Sequence, residues 1–82
     1  MNEPCVVCGR VPTDIDHIKT RGSGGSDDYA NCWSLCRDHH MEKHRIGLVT
    51  FVNRYPQAQK ELLIRGWTYE YPRRKWTMKR HA

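Results

Sequence analysis

The stretch CRDHHMEKH, Cys36 to His44, sets one cysteine and three histidines within nine residues. Thiolate and imidazole are the side chains that hold transition metals. Cys5-x-x-Cys8 and Cys36-x-x-His39 are two knuckles of the spacing that tetrahedral zinc favours, and the insert between them is long enough to fold back as a strand-loop-strand unit. Gly9 supplies the backbone freedom that such a knuckle needs. The spacing therefore predicts a structural zinc on Cys5, Cys8, Cys36 and His39. A redox pair would place its C-x-x-C at the start of a helix after a buried strand, a context missing here. Cys32 remains as the fourth cysteine: it either displaces His39 in a four-cysteine site or packs near Leu35 as a small hydrophobe.

With zinc on Cys36 and His39, Asp16, His17, His40 and His44 are left. His40 and His44 are four apart and share a helix face, whereas His39 and His40 diverge by about 100°. One helix can thus turn a ligand toward each of two metals. Asp16 and His17 adjoin on an expected strand, so their side chains leave opposite faces. That suits a division of labour in which one ligates a cation and the other handles a proton. A neutral imidazole can deprotonate water, and a hard divalent cation with few protein ligands keeps positions open for phosphate oxygens. The plainer roles are a hydrogen-bonded surface histidine at His17 and a solvated helix-end cation at His44.

The elements that must position these groups are short. TDIDHIKT alternates Ile15 and Ile18 with polar residues and reads as a strand. RGSGGSDD is a loop, and YANCWSLC resumes apolar alternation as a second strand returning antiparallel to the first. A helix is expected from Arg37 or Asp38 through Arg45, with Gly47 as its stop. LVTFVNRYP has helical periodicity up to Pro56, and a further helix runs from Pro56 to Gly66. The tail, WTYEYPRRKWTMKRHA, reads as two strands interrupted by Pro72, with most of its aromatics packed on the core.

Size and charge bound the rest. A chain of 82 residues with 38% hydrophobic content buries too little apolar surface to rest comfortably on its core, so a staple is expected. No apolar run approaches the roughly 20 residues of a membrane span, and none near the N-terminus has the length of a signal peptide. The sequence therefore reads as cytosolic and soluble, a setting in which paired cysteines more often hold metal than form disulfides. Residues 1–42 carry four Lys or Arg against seven Asp or Glu, and residues 43–82 carry ten against two. Cations suit the acidic half and phosphates the basic half, where Lys and Arg release condensed counterions. Lys19, Arg21, Lys43, Arg73, Arg74, Lys75, Lys79 and Arg80 are the candidate nucleic-acid contacts.

DIDHI, a glycine-rich loop, Asn31, LCRDHH and the following KH occur in an order that resembles the HNH endonucleases. The resemblance covers residues 5–46, and GSGGSDD and HRIG are similar to small HNH proteins of bacteriophages and prophages. It implies an α+β fold: a zinc-braced ββα-metal core over residues 5–46, followed by a helical and basic C-terminal extension over 47–82, all in one domain. By residue, it implies Asp16 as a metal ligand where many members have histidine, His17 as general base, Asn31 as the brace of the loop, and His40 and His44 as further ligands. His39 departs from the usual C-x-x-C of the second knuckle. The implied reaction is phosphodiester hydrolysis of DNA with Mg²⁺, Mn²⁺ or another transition ion, leaving 5′-phosphate and 3′-hydroxyl ends. The setting implied is the cytoplasm of a bacterial or phage-infected cell, beside phage packaging or recombination proteins, as a monomer or weak dimer. Two rivals stand beside it: a catalytically silent zinc-stabilised DNA-binding module, and a structural zinc protein that recruits a partner.

Overall fold

The computed structural model describes residues 3–78. Lys79 and Arg80, two of the candidate nucleic-acid contacts, lie outside the described residues. Strand β1, Asp14–His17, pairs antiparallel with β2, Cys32–Leu35, in a register that sets Asp16 opposite Trp33 and His17 opposite Cys32. Helix α1, Arg37–Ile46, follows directly; α2, Leu48–Arg54, and α3, Pro56–Ile64, complete the helical layer. A second antiparallel hairpin, β3 Trp67–Glu70 with β4 Lys75–Met78, ends the described chain. The fold is a small α+β arrangement of three helices and two two-stranded sheets among the described residues. No helix there is long and apolar enough to cross a membrane.

The helix boundaries follow local chemistry. Gly47 has φ +86° and donates its N–H to Lys43 O at 2.8 Å, which stops α1; that backbone conformation is cheap only for glycine. Pro56 opens α3 at its first turn, where its missing N–H costs nothing. Trp33, Leu35, Phe51, Val52, Ala58, Leu62 and Trp67 form most of the buried core, and Trp33 meets Phe51 edge-on at 6.3 Å between ring centroids.

Two local patterns differ from expectation. In β1 the apolar residue faces out and the acid faces in: Ile15 is 64% exposed while Asp16 is 1% exposed. Asp16 can be buried because Trp33 Nε1 donates to its Oδ2 at 2.7 Å and Lys43 Nζ lies 3.0 Å from the same oxygen. In the second hairpin Trp67 is buried and Trp76 half-buried, but Tyr69 and Tyr71 are exposed. Trp67 and Tyr69 share one face of the hairpin with their register partners Met78 and Trp76, so burial falls off along that face toward the turn.

The loop between β1 and β2 is tied down at several points. Ile18 N–H donates to Asn31 O at 2.7 Å, and Thr20 O accepts from Ser23 N–H and Gly25 N–H. Gly25 is required by close approach: a Cβ there would lie 1.8 Å from Lys19 O and 2.9 Å from Asn31 Nδ2. Gly25→Ala should therefore displace the loop and destabilise the protein by about 1–3 kcal/mol, the usual range for overpacking. In thermal unfolding that means a melting temperature lower by about 4 °C or more; an unchanged value would show that the loop yields freely.

Candidate metal centres

The first centre is built where the N-terminal knuckle meets the start of α1. Cys5 O accepts from Gly9 N–H at 2.8 Å, and Gly9 has φ +76°, so the chain reverses between the two cysteines. Val6 N–H donates to Ser34 O at 2.9 Å and Gln57 Nε2 donates to Val7 O at 2.9 Å, which moors the knuckle to β2 and α3. Cys36 caps α1, and one turn later His39 looks back: its Nδ1 lies 3.2 Å from Cys36 Sγ and 3.7 Å from Cys5 Sγ, while Cys8 Sγ is 3.8 Å from Cys36 Sγ.

Sulfurs on a tetrahedral zinc with 2.3 Å bonds stand about 3.8 Å apart. The donor atoms of Cys5, Cys8, Cys36 and His39 all lie within 4.8 Å of one another, so this set can hold a metal such as zinc. Arg10 Nε donates to Cys8 Sγ at 3.3 Å, and that guanidinium pulls the Cys8 thiol down to about 6. Burial pushes Cys36 up. His39 is held edge-on against Tyr55, with centroids 5.1 Å apart; Tyr55 in turn donates to Glu42 Oε1 at 2.6 Å. Cys32 stands outside this group, half-buried in β2, and burial raises its thiol.

The second centre lies one residue along the helix. Asp16 Oδ1 is 3.3 Å from His40 Nε2 and 3.5 Å from His44 Nε2, and the two imidazole nitrogens are 3.2 Å apart. Donors around a cation at about 2.1 Å stand about 3.0–3.4 Å from each other. Asp16 Oδ1 is buried and makes no hydrogen bond, although its sister oxygen is fully engaged. An anionic oxygen left without a hydrogen bond beside two imidazole nitrogens fits a metal ligand.

One residue that sequence reasoning missed orients this second group. Asp14 Oδ2 lies 3.0 Å from His40 Nδ1 and accepts from Arg37 Nε at 2.9 Å. Arg37 and then His40 hold the Asp14 carboxyl below its ordinary range. With Nδ1–H directed at Asp14, the His40 Nε2 lone pair points toward Asp16 and His44. The signal was the spacing in D-I-D, since residues two apart share a strand face. Lys43 corrects an expectation: it is 4% exposed and closed over by Asp16 and by His17 O, which accepts from its Nζ at 3.1 Å. Three residues on from His40, it is turned inward against Asp16 and β1, so it supports β1 instead of meeting phosphate.

His17 is outside the Asp16–His40–His44 cluster, as its opposite strand face requires. Its Nε2 lies 2.8 Å from Asp27 Oδ1, and Arg21 Nε is 3.9 Å from the same oxygen. Hydrogen bonding to His17, with help from Arg21, holds the Asp27 carboxyl low. Asp27 is thus the second missed residue, reached only through a loop whose path the sequence does not specify. Asn31 is buried: its Oδ1 accepts from Lys19 N–H, and its Nδ2 donates to Lys19 O and Ser26 O. The turn carrying it is clamped from the C-terminal side, with Arg65 donating to Tyr29 O and Cys32 O and Trp67 Nε1 to Ala30 O. Lys19 and Arg21 are exposed on the loop, and Arg73, Arg74 and Lys75 are exposed at the second hairpin's turn, where Arg73 pairs with Glu70.

Residues 1–65 match the family model described as "Putative HNHc nuclease". Comparison with curated proteins and with solved structures gave no match. The match spans most of the chain and takes in both clusters that could hold a metal, and on it the chain belongs to the HNH nuclease family.

Proposed function

We propose that the protein is a metal-dependent endonuclease that nicks or cuts DNA, leaving 5′-phosphate and 3′-hydroxyl ends, with a separate structural zinc. The observation that carries this reading is the buried Asp16 Oδ1, free of hydrogen bonds, between His40 Nε2 and His44 Nε2. Asp16, His40 and His44 would hold the catalytic cation, and two imidazoles with one carboxylate suit Mn²⁺ or another transition ion better than Mg²⁺. When bound, such an ion supplies neutralisation of the charge that grows on the scissile phosphate and the leaving 3′ oxygen. His17 takes the proton from the attacking water. Its Nε2–H rests on Asp27, which leaves Nδ1 as the proton acceptor. Asn31 keeps the loop that bears Asp27 in place through Lys19 and Ser26. Lys19, Arg21, Arg73, Arg74 and Lys75 offer cations to the DNA backbone.

Incubation of supercoiled plasmid with the zinc-loaded protein and Mn²⁺ or Mg²⁺ tests this directly. Relaxed circles should accumulate, and His17→Ala should slow them about 10²–10⁴-fold, the usual worth of a general base. Intact plasmid with the wild-type protein, or equal nicking by His17→Ala, would replace this reading with a DNA-binding module.

A further inference from the structure

A cleft of about 780 Å³ separates the glycine loop from the second hairpin. One bank is Lys19 with the backbone of Gly24 and Gly25; the other is β4, from Lys75 to Met78, and the floor is Leu48, Val49 and Trp67. Asn31 borders it, as do Lys19 and Lys75, whereas His17 and both candidate metal clusters lie outside its lining. Its volume lies within the range of small-ligand sites, and its chemistry is mixed in one particular way. Trp76 and Met78 present soft, polarisable apolar surface, and Lys19 and Lys75, both exposed, border the cleft from its two banks. Asp28 is the one carboxylate in the lining.

We infer that this cleft holds an unstacked nucleotide of the DNA substrate, its base against Trp76 and its phosphates between Lys19 and Lys75. This rests on the DNA-cleaving reading and deepens it by naming the form of the substrate. A base within a duplex has both faces covered by its neighbours, so only an unpaired or splayed base can lay a face on an aromatic wall. Lys19 follows His17 by two residues and is bonded through its backbone to Asn31. A strand gripped at Lys19 is therefore held beside the catalytic loop. The preference that results is for single-stranded or locally opened DNA, such as flaps, bulges and frayed junctions.

The probe is tetrathymidylate, titrated into zinc-loaded protein with no other divalent cation, so that binding is read without cleavage. Trp33 and Trp67 are buried, which leaves Trp76 as the indole that can report a stacked base. Tetrathymidylate should quench tryptophan emission, and a short fully paired duplex should quench it far less. Trp76→Phe should abolish the quench and keep binding, by calorimetry, within a few-fold. Trp76→Leu should weaken binding about tenfold or more, the scale of one lost base stack. Lys75→Gln, at an exposed position, should weaken binding and flatten its salt dependence by about one counterion. Melting temperatures of the variants show that the fold is retained; should Trp76→Leu unfold, Lys75→Gln with the wild-type quench decides. Tetrathymidylate binding that neither Trp76→Leu nor Lys75→Gln alters overturns the inference, as does equal quenching by duplex. The two readings separate cleanly: plasmid nicking that persists alongside an unresponsive Trp76 removes the cleft and leaves the nuclease standing, whereas absent nicking with intact quenching does the reverse.

Discussion

His40→Ala is expected to cut plasmid nicking by roughly two to three orders of magnitude while leaving the fold in place. A metal that neutralises phosphate charge supplies several kcal/mol to the transition state, and about 1.36 kcal/mol is tenfold in rate. The fold survives because Asp16 does not depend on His40: Trp33 and Lys43 still engage its Oδ2. Circular dichroism and zinc content should match the wild type, while calorimetric titration with Mn²⁺ should show the second site weakened. Asp14→Asn gives a graded comparison. It keeps the size of the side chain but weakens the contact that orients His40, and losses of about 10- to 100-fold in metal affinity follow such changes. Nicking by His40→Ala within threefold of wild type would remove His40 from the cation site.

Stripping the zinc, or replacing its histidine ligand with His39→Ala, should unfold the protein. At roughly 0.05–0.15 kcal/mol per residue, a chain of this size has about 4–12 kcal/mol of stability to lose, and a structural zinc contributes about 10–16 kcal/mol to a small domain. Two members of the buried hydrophobic cluster, Cys5 and Cys36, are themselves donors to this site. Without the ion, four donor groups would crowd within 4.8 Å of one another with nothing between them. Addition of a strong chelator under reducing conditions should abolish the cooperative thermal transition, and zinc should restore it where Mg²⁺ does not. A zinc-free protein that melts like the loaded one would show that the core suffices alone. Because His39 and His40 adjoin, the paired substitutions dissect the two centres: one should cost the fold, the other the chemistry.

What could be read in advance was whatever is encoded locally. The knuckle spacings, the helix stop at Gly47 and the opening of α3 at Pro56 depend on a few neighbouring residues, and each sits where those residues place it. The partners of the candidate site were hidden because they meet across space. Asp14 reaches His40 from another element, Asp27 reaches His17 over a loop, and Arg65 reaches the carbonyls around Asn31 from the end of α3. Lys43 was misread for a different reason. Charge composition treats every lysine as exposed, whereas the helical period sets Lys43 three residues on from His40, on the side of α1 that meets Asp16. Ile15 shows the same error in reverse: β1 needs its inward face for carboxylates, so the isoleucine goes to solvent.

Lys43 also fixes the charge balance of the second centre. Its ammonium, 3.0 Å from Asp16 Oδ2, already offsets the single carboxylate among the three candidate ligands. A dication arriving there meets little uncompensated negative charge, so its attraction to the bare protein is modest. Its two positive charges are then left almost whole for whatever oxyanion comes next. On the proposed reading the centre would be an incomplete coordination sphere that a phosphodiester completes, and cation and DNA should each tighten the binding of the other.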